Sequence, residues 1–274
     1  MASDNPLYYS LYQTSQRDVF LWKKHENLGY PTHFHSAMEI YFILDGEMGA
    51  DIGGKHYRIQ KGDIAIVNPF EIHTYARVPV PTDRAKVAVF IVGETYLADY
   101  LSLYDGYILP SLLTDTEFNK EILAVLDGIP ASFASNETLS WLAKKAHVNL
   151  LLDKIISHYG LTQARESNKE IANIVRFIYE NYMEELTLDI LAEKFNYSRT
   201  SISRLLSKYL KIDLRCFVNN LRVEQANSFI DNPKYAKVPI MEIASRCGFE
   251  STVTFYRAYK RRYGHAPRKE SEEE

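Results

Sequence analysis

The chain has few cysteines and no long apolar run. Only Cys216 and Cys247 occur among its 274 residues, without CxxC spacing, which argues against a disulfide framework. No stretch approaches the roughly 20 apolar residues of a membrane span. The N-terminal sequence MASDNPLYYSLYQ also lacks the basic start and apolar centre of a signal peptide. We therefore predict a cytoplasmic protein.

Charge is distributed unevenly although the net charge is only −3. Residues 198–269 contain 15 Lys and Arg against 5 Asp and Glu, a net of +10, whereas the rest of the chain has 17 against 30. A basic segment in an otherwise acidic chain indicates an anionic partner for that segment alone. A solvated basic face would give the same count, so charge alone leaves both interpretations open.

The first ~95 residues are typical of strands, and later residues are typical of helices. The strand segments are short, rich in β-branched and aromatic residues, and separated by Gly, Pro or Asp: MEIYFILDG, GADIGGKHYRIQ, KGDIAIVNP and RAKVAVFIVG. They predict a sandwich or barrel. From about Thr138 apolar residues recur at helical spacing in a broad stripe. That stripe fits either packing within the chain or a dimer-forming helix.

The helical half contains an internal repeat. LDILAEKFNYSR (188–199) and IMEIASRCGFES (240–251) align at an offset of 52, with apolar residues at equivalent positions. Each apolar run ends at a residue that can adopt left-handed backbone angles, Asn196 in one copy and Gly248 in the other. Such a residue suits a sharp turn, so each copy is predicted to be a helix, a short turn and a second helix.

The second helix of each copy is predicted to have one apolar face and one polar, basic face. The apolar positions follow helical spacing at an offset of 53: Ile202, Leu205, Leu206 and Tyr209, then Phe255, Ala258 and Tyr259. Hydroxyl residues and arginines on the opposite face suit a DNA major groove. Two ordinary helical hairpins would explain the repeat, but repeat, turn and charge together favour DNA binding.

Over about 100 residues the helical half resembles the C-terminal DNA-binding domain of the AraC/XylS family of bacterial transcription regulators. The resemblance lies in LTLDILAEKFNYSRTSISRLLSKYLKIDLRCFVNNLRVEQA and VPIMEIASRCGFESTVTFYRAYKRRYGHAPRK. It implies two recognition helices, joined by a connecting helix, in successive major grooves on one face of the DNA.

The resemblance also implies which residues contact DNA. Base-reading positions are Arg199, Thr200, Ser203 and Arg204 in the first helix, and Thr252, Val253, Thr254 and Arg257 in the second. Phosphate-contacting positions are Lys208, Lys260 and Arg261. Val253 departs from the polar residues common in the family and could touch a thymine methyl group. Arg222 is left out because it can pair within the connecting helix.

A second motif lies near the N-terminus. HFHSAMEIYFILDG (33–46) fits the first cupin motif, H-x-H-x3-E-x6-G, and GDIAIVNPFEIH (62–73) resembles the second. Phe70 departs from it, since cupins usually have Gly there. Strand residues two apart point to the same side, so the candidate metal ligands His33, His35, Glu39 and His73 can meet inside a barrel. Such a cluster can bind a divalent first-row metal, or its members can bond one another, a ligand or water.

This region also resembles the cupin-like sensor domain of many AraC-family proteins, which implies a small organic effector, often bound without metal. The candidate effector-binding residues are His33, His35, Glu39, His73, Tyr41 and Trp22. Further candidates are Glu47, His56, Tyr57 and Tyr75. Aromatic faces with a few hydrogen-bonding groups suit a sugar or a related polar metabolite.

The sequence therefore predicts a two-domain chain. Residues 1–160 form an all-β cupin-like barrel followed by helices, residues 161–168 a linker, and residues 169–274 an all-α domain with two helix-turn-helix motifs. We expect a homodimeric transcription regulator that binds double-stranded operator DNA and a small-molecule effector, and that contacts RNA polymerase if it activates. We expect no catalytic residues and no cofactor, unless the histidines bind a divalent metal. The alternatives are a metal-dependent cupin enzyme or metal sensor with a DNA-binding module, and an architectural DNA binder that ignores metabolites.

Overall fold

Two separate antiparallel sheets build the N-terminal part of the computed structural model, which describes residues 8–9, 20–26, 30–76, 85–127, 140–163, 166–210 and 212–267. One sheet contains strands in the order β3-β8-β5-β6, and the other has the order β11-β7-β4-β9-β2. The strand bounds are β1 Tyr8–Tyr9, β2 Phe20–Glu26, β3 Tyr30–Phe34, β4 Met38–Asp45, β5 Glu47–Ile52, β6 Lys55–Gln60, β7 Ile64–Val67, β8 His73–Ala76, β9 Lys86–Val92, β10 Tyr107–Ile108, β11 Leu112–Leu113 and β12 Thr162–Gln163. Strands β10 and β12 pair with each other in a separate two-stranded sheet.

The turn between β5 and β6 follows directly from its two glycines. Gly53 and Gly54 have φ angles of 56° and 75°, and Ile52 pairs with Lys55 across them. A two-residue hairpin loop with both φ angles positive matches the twist of the flanking strands, and glycine adopts these angles without a steric penalty. The hairpin that the sequence predicts is confirmed.

Strands β4 and β9 lie at the centre of their sheet and are buried on both faces. This explains why their sequences are nearly continuous apolar runs. On one face, residues such as Tyr41 and Val89 pack against Met48 and Ile59 of the opposite sheet. The two sheets therefore face one another as a cupin-like barrel. Among the described strands the sheets stay separate, so hydrogen bonds do not close the barrel.

Helices cover the outer face of the β4–β9 sheet. They are α1 Glu94–Leu103, α2 Thr116–Asp127 and α3 Trp141–Tyr159. Helix α3 packs Val148, Leu151 and Ile155 into the cluster on that face. Leu142 and Leu150 stay exposed, so packing on the sheet uses only part of the broad apolar stripe. In the described residues, no helix combines the length and apolar character that a bilayer crossing requires.

From residue 12 onward the chain divides into two compact units, Tyr12–Glu170 and Ile171–Glu274. The predicted linker, residues 161–168, contains strand β12 and the start of α4. The helical unit consists of α4 Glu166–Asn181, whose first residues precede the division, α5 Leu188–Phe195, α6 Arg199–Leu210, α7 Leu214–Ile230, a 3-10 helix Pro233–Tyr235, α8 Ile240–Arg246 and α9 Thr252–Tyr263.

The internal repeat is confirmed in three dimensions. Helices α5 and α8 begin 52 residues apart, and α6 and α9 begin 53 residues apart. The turns between them contain Asn196 at φ 57° and Gly248 at φ 87°, the left-handed angles that the sequence predicts. Hydroxyl groups cap the second helices, since Ser198 accepts from the amide of Ser201 and Ser251 from that of Thr254.

Helix α7 connects the two helix-turn-helix units. Asp213 caps its N-terminus by accepting from the amide of Cys216 at 2.7 Å. Val223, Ala226 and Ile230 of α7 pack with the buried residues of α8 and α9 in one apolar cluster. The second unit is therefore held by its own core and by the connecting helix.

Candidate functional site

Helix α6 presents one polar face and one buried face. Ile202, Leu206 and Leu210 are buried. The predicted DNA-contacting residues lie on the other side, where Ser203 is half-buried and the rest are exposed: Arg199, Thr200, Arg204 and Lys208. The guanidinium of Arg199 donates to Asp189 at 3.2 Å, but both side chains are exposed. Such a pair contributes little to stability and can exchange for a DNA contact.

Helix α9 repeats this arrangement. Phe255, Ala258 and Tyr259 are buried. The predicted DNA-contacting residues are again on the opposite side, with Thr254 half-buried and the rest exposed: Thr252, Val253, Arg257, Lys260 and Arg261. In the described part of the chain, neither Arg204 nor Arg257 forms an ion pair or a side-chain hydrogen bond. Their guanidinium groups occupy equivalent places in the repeat.

A groove between the first turn of α7 and α9 contains residues that the sequence did not single out. It is lined by Asp213, Arg215, Cys216, Asn219, Thr254, Arg257, Ala258 and Arg261. Arg215 adds a positive charge beside the exposed face of α9. Tyr256 is exposed on the same face of α9, although it is not among the predicted DNA contacts. The repeat offset could have indicated Tyr256, because it stands 53 residues after Ser203.

Arg222 binds backbone carbonyls and is not among the predicted DNA-contacting residues. It lies in α7 and donates to the backbone carbonyls of Tyr182 at 2.6 Å and Glu184 at 2.7 Å. The sequence prediction left Arg222 out of the DNA-contacting residues, which agrees with this geometry. Its partners follow α4, however, whereas the prediction placed them in the connecting helix. The guanidinium satisfies carbonyl groups that the end of α4 leaves unpaired.

The four candidate metal ligands form one cluster, to which both sheets of the barrel contribute. His33 is the second-last residue of β3 and His73 is the first residue of β8 in one sheet, while Glu39 lies in β4 of the other. Their ligand atoms and that of His35 all lie within 4.8 Å of one another. All four residues are buried, with at most 2% of each exposed. The spacing in the sequence therefore predicts the cluster correctly, whereas metal binding stays a prediction.

Backbone carbonyls orient two of the histidines. Nδ1 of His35 lies 2.9 Å from the carbonyl oxygen of Ala37, and Nδ1 of His73 lies 2.9 Å from that of Glu71. Nε2 of each ring then points toward Glu39 Oε2, at 2.9 Å from His35 and 3.4 Å from His73. The turn before His73 is itself stabilised, since the carboxylate of Glu71 accepts a hydrogen bond from the backbone amide of Asn68.

Burial and charge act in opposite directions at this cluster. Burial alone would raise the pKa of the Glu39 carboxyl, but hydrogen bonds with His35 and His73 and their charges hold that pKa well below its usual range. Burial lowers the pKa of His73, against the attraction of Glu39. The cluster therefore favours an ionised Glu39 carboxylate, whereas burial disfavours the charged form of the His73 imidazole.

Phe70, which stands where cupins usually have Gly, has a backbone conformation that favours glycine. It has a φ of 62°, in the left-handed region where glycine is favoured and bulky residues are rare. Its amide donates to the carbonyl of His35 at 2.8 Å. This hydrogen bond links the turn before β8 to the segment between β3 and β4. Strained backbone of this kind is concentrated at functional sites.

The other effector candidates fall into three groups. Tyr41 and Tyr75 are buried beside the cluster, with ring centroids 4.2 Å apart and Tyr75 5.5 Å from His73. Trp22 lies in β2, but its side chain is outside the described part of the structure.

The third group does not join the cluster. His56 pairs with Asp51 on the exposed surface, and Glu47 pairs with Arg58 there. Tyr57 is half-buried beneath the ammonium group of Lys55. The expectation that these three line the interior is wrong for His56 and Glu47, because alternate residues of a strand face opposite sides of the sheet.

Comparison with known proteins gives matches to both halves of the chain. A family described as AraC-like ligand binding domain matches residues 21–152, and a helix-turn-helix domain matches residues 191–272. The Msm operon regulatory protein of Streptococcus mutans is 22% identical over 236 residues, which cover 84% of this chain and 82% of that protein. The transcriptional activator RhaS of Escherichia coli is 20% identical over 248 residues, which cover 87% and 86%.

A solved structure is also similar. It is the unsaturated fatty acid bound wild-type ToxT of Vibrio cholerae, with a TM-score of 0.49 and 15% identity. The match covers 90% of this chain and 93% of that chain. The two relatives match most of their own length and most of this chain.

Proposed function

Because the chain belongs to the AraC/XylS family of transcription regulators, we propose that α6 and α9 read its DNA site and that the barrel interior binds its effector. Membership of the family makes the chain a DNA-binding regulator whose N-terminal domain senses a small molecule. The proposal concerns which residues carry out each task.

The observation that carries the DNA-reading proposal is the equivalence of Arg204 and Arg257. Each is exposed on the second helix of its unit, at the same place in the repeat, with no ion pair in the described part of the chain. An arginine in the major groove can donate two hydrogen bonds to O6 and N7 of guanine. Each unit therefore offers one strong base-reading group.

Around these arginines the remaining residues take supporting roles. Short hydroxyl side chains such as Thr200 and Ser203 let the helix approach the base edges closely, and Val253 offers an apolar contact for a thymine methyl group. Lys208, Lys260 and Arg261 lie nearer the helix ends and contact phosphates, which releases counterions and makes affinity depend on salt.

For the effector, we propose a sugar or a related polar metabolite bound at the buried cluster of His33, His35, Glu39, His73 and Tyr41, with Trp22 as a further contact. Aromatic rings beside a few hydrogen-bonding groups suit such a ligand. The chain acts in the cytoplasm as a homodimer, and effector binding favours one dimer or interdomain arrangement over another. Two DNA-binding domains then reach paired half-sites together. As an activator it would contact RNA polymerase.

A metal-dependent cupin enzyme or metal sensor is the second candidate, favoured by the four converging ligand atoms. The relatives of the chain are regulators. We therefore propose that the protein is not an enzyme, and sustained turnover of a substrate by the purified chain would contradict this.

Replacing Arg257 by Ala is expected to weaken binding to the best duplex selected from a random pool by about 1–3 kcal/mol and to remove discrimination at one base position. The reason is the loss of both hydrogen bonds to one guanine. Fluorescence anisotropy with the selected duplex and its single-base variants measures both effects.

Two further variants serve as controls for Arg257→Ala. Lys260→Ala should weaken binding to all duplexes alike and reduce the slope of the salt dependence by about 1. Arg58→Ala makes the same change in the barrel, where Arg58 pairs with Glu47, and should leave DNA affinity unchanged. Base preference that survives in Arg257→Ala would refute the assignment of this residue.

A further inference from the structure

The groove between α7 and α9 is built from one face of each helix. On α9 its lining residues recur at the i, i+3, i+4 and i+7 spacing that places side chains on one side of a helix: Thr254, Arg257, Ala258 and Arg261. The other wall consists of the cap and first turns of α7: Asp213, Arg215, Cys216 and Asn219. The connecting helix therefore stands directly beside the DNA-contacting face of α9.

The groove concentrates positive charge. Three of its eight lining residues are arginines, and Asp213 is the one acidic residue among them. Within the described residues, neither Arg215 nor Arg257 has an ion pair or a side-chain hydrogen bond. The guanidinium of Arg261 contacts the sulfur of Cys216 at 3.7 Å, and sulfur is a weak acceptor. Such a concentration of charge without acidic partners attracts an anion.

Size and lining indicate which kind of anion fits. The groove has a volume of about 290 Å³, whereas pockets that enclose an organic ligand span roughly 300–1,000 Å³ and are mostly apolar. Of its lining residues, Ala258 alone is buried, so the groove is open to solvent along its length. The planar fork of arginine matches the oxygens of a phosphate. The groove therefore suits a phosphate group that approaches from solvent as part of a larger molecule.

We infer that this groove binds a phosphate of the DNA backbone, held by Arg215 on one wall and Arg261 on the other, with Asn219 as a further donor. The inference rests on the proposed function, because it requires α9 to lie against DNA. Arg257 lines the same groove, so a strand whose guanine meets Arg257 passes its backbone along α7. Arg215 is then a DNA contact outside both recognition helices.

This contact positions α9 and does not select a sequence. Phosphate contacts fix the register and orientation of a protein on the duplex but do not report base identity. Helix α9 packs on α7 through an apolar cluster that includes Val223 and Ala226. A phosphate bound by Arg215 of α7 therefore also sets how α9 lies against the base edges. Loss of Arg215 should lower affinity for every duplex and leave base preference unchanged.

Arg215→Ala in the full chain tests the inference through the salt dependence of DNA affinity. One phosphate contact contributes about 0.9 to the slope of log affinity against log salt, so the slope should fall by about 1. The loss of affinity should accordingly shrink about threefold between roughly 50 and 200 mM salt. Arg215→Lys keeps the charge and should keep the slope. Arg58→Ala removes an arginine of the barrel that pairs with Glu47, and as the matched control it should change neither quantity.

Neutral methylphosphonates, placed one at a time along the selected duplex, locate the phosphate. At one position the substitution should weaken binding by the unchanged chain but not by Arg215→Ala, because that variant no longer contacts the charge that is removed. Substitutions at other contacted phosphates should weaken both proteins alike. Absence of any position whose effect depends on Arg215 overturns the inference.

Cys216 reports occupation of the groove without any substitution. It is half-buried, whereas Cys247 is buried and its burial raises the pKa of that thiol to about 12, so iodoacetamide should alkylate Cys216 selectively. The selected duplex should slow this reaction in proportion to the bound fraction, and an unchanged rate in the complex overturns the inference. Protection by micromolar inorganic phosphate or pyrophosphate, with a duplex affinity that does not depend on Arg215, identifies a site for a free phosphorylated compound and overturns it too.

The same measurements separate this inference from the proposed function. Selection of a specific duplex, with an unchanged salt slope in Arg215→Ala, contradicts only the phosphate contact. Failure to select any specific duplex contradicts the proposed function. A duplex of mixed sequence then replaces the selected one, and a salt slope that depends on Arg215 supports the phosphate contact alone.

Discussion

Replacing Arg262 by Ala is expected to lower the free energy of unfolding of the helical unit by about 3–5 kcal/mol, because it breaks a buried ion pair by removing one of its two charges. Arg262 of α9 donates to Glu224 Oε1 of α7 through Nε at 2.9 Å and through a terminal nitrogen at 2.5 Å. Only 8% of the Arg262 side chain and 4% of the Glu224 side chain are exposed. Since whole domains are stable by only about 5–15 kcal/mol, this loss is large.

Hydrogen exchange followed by mass spectrometry measures this loss in the intact chain, through the opening of peptides from α7 to α9. Both tryptophans, Trp22 and Trp141, precede the helical unit, so the unfolding transition seen by their fluorescence should not move. DNA affinity should fall in step with the unfolded fraction, because α9 can read DNA only when it is docked on α7.

Arg246→Ala is the matched control. Arg246 pairs with Glu242 at 2.6 Å, but about half of each side chain is exposed, so its loss should cost less than about 1 kcal/mol. Replacing both buried partners, as in Glu224→Leu with Arg262→Met, should recover much of the stability. An Arg262→Ala variant no less stable than Arg246→Ala would show that the buried pair does not hold α9 on α7.

Replacing Gly248 by Ala is expected to destabilise the second helix-turn-helix unit by about 3 kcal/mol or more, through strain and a steric clash together. The residue has a φ of 87°, and a Cβ there would lie 2.4 Å from the carbonyl oxygen of Met183. Met183 lies between Tyr182 and Glu184, whose carbonyls accept from Arg222. The backbone movement that relieves the clash would therefore also disturb these two hydrogen bonds.

Gly264→Ala separates the two contributions. Gly264 has a φ of 80°, but a Cβ at that position would meet nothing within 4 Å. It should show only the cost of left-handed backbone, about 1–2 kcal/mol. Thermal unfolding monitored by the exchange of α8 and α9 peptides compares the variants. Equal losses for Gly248→Ala and Gly264→Ala would contradict the close approach of Met183.

The repeat could be predicted from the sequence because its signals are local. Helical periodicity, the left-handed residues Asn196 and Gly248, and the hydroxyl caps all lie within a few residues of the structure they specify. The contacts that hold the repeat together could not be predicted. Glu224 and Arg262 are 38 residues apart, and many charged pairs at such separations would fit the pattern equally well.

In the barrel cluster, too, one part could be predicted from the sequence and another part could not. Spacing of two residues along a strand and the cupin motif predict that His33, His35, Glu39 and His73 meet, and they do. The carbonyl partners that fix the ring nitrogens were not predictable, because they depend on the path of the backbone around Ala37 and Glu71. His56 and Glu47 were placed in the interior by residue type alone, and their strand faces put them outside.

Selection from a pool of randomised duplexes, with the intact chain and sequencing of the bound fraction, tests the central claim most directly. Two recognition helices in one chain predict an enriched site with two constrained segments about 10 base pairs apart, so that both lie on one face of the DNA. Bound sequences that match the input pool, or that show a single constrained segment, would contradict the account.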